Sequence, residues 1–120
     1  LTAFLFLLTS PIHALAGEKI PQKELERKNL FIKVLDNAFL DLGLDVKFKI
    51  EGKFADKLKL KNKYWSRPMT HKITQGGSLE NGSFLPLALK AGFRWIIFED
   101  EHGFLQVYDT YNGESSLAAD

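Results

Sequence analysis

The sequence predicts a single α+β domain: an antiparallel sheet of two hairpins, about four strands, with an N-terminal amphipathic helix and a short helical connection on one face. Three observations carry this expectation. Phe31, Val34, Leu35, Ala38, Phe39 and Leu42 recur at three- and four-residue steps, an apolar stripe of helical period. Two later segments alternate apolar and lysine residues with a period of two. Phe93 to Phe98 is then aromatic or branched at nearly every position, the pattern of a central strand buried on both faces.

The elements follow in order. Leu1 to Leu8 is almost wholly apolar, Thr9-Ser10-Pro11 breaks the run, and Ala14-Leu15-Ala16 stands before Gly17. A greasy core, a helix breaker and small residues at alternate positions are the order of a secretory leader. Residues 1–16 are therefore expected to be a signal peptide and 17–120 the globular domain. No Met opens the chain and no basic residue precedes the apolar run, so the leader is expected to be truncated at its N-terminus. An uncleaved anchor is the other reading of the same run. No later segment has the roughly 20 apolar residues that a membrane span needs. The expected destination is a periplasm or the extracellular space.

Glu18 to Arg27 is polar and expected to fray, although Pro21 suits a first helical turn. Gly43 can end the helix in the left-handed conformation. Val46, Phe48 and Ile50 then alternate with Lys47, Lys49 and Glu51, and Leu58 and Leu60 alternate with Lys57, Lys59 and Lys61. Gly52 to Asp56 joins these strands as a five-residue hairpin loop that offers Phe54 to solvent. Ser66 is placed to cap a short helix with Pro68 in its first turn, and Ser83 another with Pro86 in its first turn, closed by Gly92. Glu99 to Gly103 is a turn, Phe104 to Tyr108 the return strand, and the chain from Asn112 onward polar, small and expected to be disordered at its tip. Trp95 is expected in the core, with Trp95→Ala costing about 3–5 kcal/mol.

Composition narrows the function classes. The chain has 120 residues, 45% hydrophobic and 26% charged, which suits one folded domain. With no cysteine there is no thiol nucleophile, no cysteine-held zinc and no disulfide. A net charge of +1 steers nothing globally, so electrostatic recognition has to come from local segregation of charge.

That segregation exists. Lys47, Lys49, Lys57, Lys59 and Lys61 should project from one side of one hairpin, with Lys53 and Lys63 at its ends. Such a face docks polyanions, or simply keeps an edge hairpin from pairing with its neighbours. It has no arginine and no interleaved aromatic row, so a nucleic-acid platform is poorly supported. Tyr64 and Trp65 follow the hairpin, and adjacent strand residues face opposite ways, so one of the two is a candidate contact residue. Glu99, Asp100, Glu101 and His102 cluster without calcium-loop spacing, and no metal is expected there. No Gly-x-Ser-x-Gly elbow surrounds any serine, and Gly76-Gly77 lacks the lysine of a phosphate loop. Asn81-Gly82-Ser83 has the form of a glycosylation acceptor and reads more simply as loop.

Leu42-Gly43-Leu44-Asp45-Val46, Gly52, Leu58, Arg67-Pro68, Ala91-Gly92-Phe93, Ile96-Ile97-Phe98 and Tyr108-Asp109 together resemble small secreted bacterial proteins of uncharacterised function. The resemblance spans most of residues 17–120. It implies a bacterial periplasmic or extracellular home and supplies no catalytic residue. Such proteins often carry Thr-Asp-Gly after the strand, where this chain has Glu99-Asp100-Glu101-His102-Gly103. The expectation is a secreted, non-catalytic binding or envelope-associated domain without a cofactor, with a protein or a polyanionic envelope component as partner. Its expected contact residues are Lys47, Lys49, Lys57, Lys59, Lys61, Tyr64 and Trp65. The alternative is a small enzyme or enzyme inhibitor with a site near His71.

Overall fold

The structure is a computed structural model that describes residues 21–76, 78–79 and 82–119. The expected leader, Gly77 and the Asn81 acceptor position lie outside the described residues.

Helix α1 runs from Gln22 to Asp41 with Pro21 at its N-cap, so the part of the segment expected to fray that is described, Gln22 to Arg27, is helical. At about 1.5 Å per residue it is some 30 Å long. Leu25, Lys28, Phe31, Leu35 and Phe39 form its buried side. Leu42, at the C-cap, falls off that side and is exposed. Hairpin β1 (Lys47–Glu51) and β2 (Lys57–Asn62) follows with the expected loop. Ser66 caps α2 (Arg67–His71), its hydroxyl accepting from the Met69 N–H at 3.3 Å. A wider π-type turn, Lys72–Gly76, continues it. A two-residue pair, β3 (Ser78–Leu79) with β4 (Gly82–Ser83), leads into α3 (Phe84–Ala91). Ser83 holds the N-cap position of α3 without a side-chain bond, and Gly92 closes the helix at φ 106°. Strands β5 (Trp95–Asp100), β6 (Leu105–Asp109) and β7 (Ser115–Ala119) complete the chain.

The fold is α+β, but its sheet is five-stranded and mixed, in the order β1-β2-β5-β6-β7. Two expectations are corrected. The two hairpins join through a parallel pair, β2 with β5, rather than forming an all-antiparallel sheet. Parallel neighbours need a long crossover, and the helical middle from α2 to α3 supplies it. The tail expected to lack structure forms β7, antiparallel to β6 with a bulge beside Leu105 and Gln106.

Register decides which side chains face the helices. Leu58 lies opposite Ile96, and Leu60 opposite Phe98; Ile96 in turn lies opposite Tyr108. These residues share one core with Phe31, Leu35 and Phe39 of α1, Trp65, and Phe84, Leu85 and Ala88 of α3. The Trp65 ring meets Phe98 edge-on at 5.1 Å, and Phe98 meets Tyr108 likewise at 5.6 Å. Trp65 Nε1 donates to the Leu60 carbonyl at 3.1 Å, so the indole is buried with its polar atom satisfied.

Buried polar groups tie the layers together. Thr70 donates to Gln106 Oε1 at 2.7 Å; with its one proton so used, it accepts from the Tyr108 hydroxyl at 3.1 Å. The fully buried Lys28 pairs with Glu24 at 3.2 Å and lies 5.6 Å from the Phe93 ring centre. A Cβ on Gly92 would come within 2.9 Å of the Lys28 Cε, so this glycine makes room for the lysine stem as well as ending α3.

Candidate binding face

The sheet has a second face, and the core takes no residue from it. Strand alternation puts Lys47, Lys49, Glu51, Lys57, Lys59 and Lys61 on its β1–β2 half. On the β5–β6 half, parallel pairing sets Trp95 beside Lys57, Ile97 beside Lys59 and Glu99 beside Lys61. Val107 and Leu105 continue outward, opposite Ile97 and Glu99. Trp95, Ile97, Leu105 and Val107 are each half-buried. The expected lysine face is thus real as geometry, and an apolar strip adjoins it.

This corrects the assignment of Trp95 to the core and of β5 as buried on both faces. Burial alternates along β5, with Ile96, Phe98 and Asp100 inside. Trp65 fills the place expected of Trp95. Trp65 is only 1% exposed, so it offers no contact surface, whereas Tyr64 beside it is 58% exposed. Trp95 instead stacks against the Arg94 guanidinium at 4.8 Å. Arg94 also lies 5.7 Å from the Tyr111 ring centre and holds Asp109 through two bonds, at 3.1 and 2.8 Å. Sequence reading missed this cluster because Arg94 and Tyr111 meet only once β5 and β6 pair.

The lysines are not equivalent. Lys59 sits between Glu51 at 3.2 Å and Glu99 at 2.9 Å, and Lys49 reaches the same Glu51 at 3.5 Å. Partial burial works to lower the Lys59 pKa, but hydrogen bonds to Glu99 and Glu51 outweigh it and raise the value. The reciprocal bond from Lys59 holds Glu99 below the usual carboxylate range. Lys47 has a long, exposed contact with Asp45 at 3.8 Å, a geometry of little energetic weight. Lys57 and Lys61 are exposed and have no acidic partner within 4 Å among the described residues. Lys47 stands directly opposite Lys61, a like-charge pair that destabilises the hairpin. Five lysines and Arg94 against Glu51, Glu99 and Asp109 leave the face at +3 in a chain whose net charge is +1.

The remaining candidates divide by location. Glu99 and Asp100 point to opposite faces, as neighbours on a strand must. Asp100 is an internal staple: its carboxylate accepts from the backbone N–H groups of Trp65 (2.8 Å), His102 (2.8 Å) and Phe104 (2.9 Å). Burial pushes its pKa up, but these three bonds prevail and hold it below the usual range. No group of three potential metal ligands occurs among the described residues. The ring of His71 is exposed and makes no hydrogen bond among the described residues. Where β2 and β5 end, an open groove of about 800 Å³ is lined by Lys47, Lys61 and Lys63 together with Asp45, Glu99 and Glu101. Its charges oppose one another, so it extends the lysine face without concentrating either sign.

No family model matches the chain, and comparison with curated proteins and with solved structures finds no match. Among the described residues, no helix is long and apolar enough to cross a membrane.

Proposed function

We propose that this chain is an exported, non-catalytic binding domain of the cell envelope, and that the open face of its sheet engages a polyanionic partner. The observation that carries this reading is the placement of Lys47, Lys49, Lys57 and Lys61 on one face that no other described element covers, with Lys47 and Lys61 opposed and Lys57 and Lys61 unpaired among the described residues. A face kept only against edge pairing needs charge on the edge strand. Here Lys57 and Lys61 belong to β2, an interior strand. A like-charge pair that costs the hairpin stability has its compensation when an anion lies across it. The exposed His71 favours this reading over a catalytic site centred on it.

Heparin chromatography tests the proposal. The protein should be retained at low salt and elute as salt rises, because each neutralised anion releases counterions. Substituting Lys47, Lys49, Lys57 and Lys61 together by Gln should abolish retention without loss of fold. Flow-through of the unmodified protein at low salt would overturn it.

A further inference from the structure

We infer that the anionic partner is the surface of a lipid bilayer, entered by the Phe54 tip of the β1–β2 hairpin; this rests on the polyanion reading above and names its partner. A soluble polyanion has no use for an exposed phenyl ring, and Phe54 is 71% exposed. The ring is presented by a rigid turn. Ala55, fully buried, is held at φ 56°, the only non-glycine at positive φ among the described residues. Its N–H donates to the Gly52 carbonyl at 3.0 Å. The Asp56 carbonyl accepts from both Arg94 (2.8 Å) and Trp95 (3.1 Å), pinning the loop to the start of β5. The left-handed turn seats Ala55 in the core and leaves the preceding Phe54 in solvent, so the position of the ring is fixed by a buried anchor.

The surroundings fit a headgroup layer. Lys53 Nζ lies 5.8 Å from the Phe54 ring centre, and Lys57 leaves the loop on the open face. Because β2 and β5 run parallel, Arg94, Trp95 and the 76%-exposed Tyr111 stand at the same end of the sheet as Phe54. Aromatic rings with basic neighbours are the composition favoured where hydrocarbon meets headgroups. An anionic surface neutralises the lysines while the phenyl ring leaves water.

Sedimentation with vesicles tests this. The full chain should bind vesicles of 3:1 phosphatidylcholine and phosphatidylglycerol, not phosphatidylcholine alone, and release as salt rises. Phe54→Ala should lower partitioning about tenfold and leave heparin retention unchanged. Leu42→Ala removes an equally exposed side chain at the opposite end of the sheet and should change neither readout. Heparin retention without vesicle binding would overturn the bilayer assignment and leave the polyanion reading standing. Vesicle binding that Phe54→Ala does not weaken would overturn the role of the tip. Loss of both heparin and vesicle binding in the unmodified protein would overturn both proposals.

Discussion

The two faces of one sheet are built from the same strands, and adjacent residues meet opposite fates. Ile96 and Phe98 are fully buried against the helices, while Trp95 and Ile97 stay half-buried on a face that no other described element covers. Leu58 and Leu60 are fully buried; Lys57 and Lys61, one residue away, are exposed. Stability resides on the first face and charge on the second. A substitution on one should leave the property of the other almost untouched, and that independence can be attacked directly.

The largest effect belongs to the covered face. Trp65→Ala should cost about 3–5 kcal/mol, measured by denaturant unfolding, because it empties a site that Phe39 and Phe98 cannot refill. A loss below about 1 kcal/mol would break the distinction between the two tryptophans. Asp100→Asn comes next, at about 2 kcal/mol, since an amide cannot accept all three backbone N–H groups. The substitution should also reshape the pH dependence. The folded-state pKa of Asp100 is depressed, so its stabilisation is complete above the unfolded value of about 3.9 and is lost as pH falls through the lower folded value. A variant without this carboxyl should show a shallower acid limb in thermal melts.

Trp95→Ala should cost about 1 kcal/mol, the scale of an exposed stack on Arg94 with partial burial. The smallest effect on stability is expected from the four lysines. Each change to Gln should move unfolding by no more than about 0.5 kcal/mol, yet together they should remove heparin retention. A large loss of stability in that variant would mean that the open face is structural after all.

Legibility in the sequence follows the range of the interactions involved. The α1 stripe, the β1–β2 alternation, the Ser66 cap and the Gly52–Asp56 loop were readable because each depends on neighbours within a few residues. The lysine face was readable for the same reason: Lys57-Leu58-Lys59-Leu60-Lys61 states its own inside and outside. Phe93 to Phe98 carries no such alternation, so nothing local says whether Trp95 or Ile96 turns inward. Parallel pairing with β2 decides it, by setting Ile96 beside Leu58. β7 was missed because Ser115 and Ser116 have little strand propensity of their own and pair because β6 offers an edge. The Arg94, Trp95 and Tyr111 cluster likewise joins residues from different strands and turns.

By itself the sequence determined that helix and strands would form where their periods change, and that lysine would line one side of the first hairpin. Tertiary structure alone decided which tryptophan is core, where the two hairpins join and which side of the sheet the described helices pack against. The physical reason is that side-chain periodicity is written residue by residue, whereas strand neighbours are chosen by contacts between segments far apart in the chain.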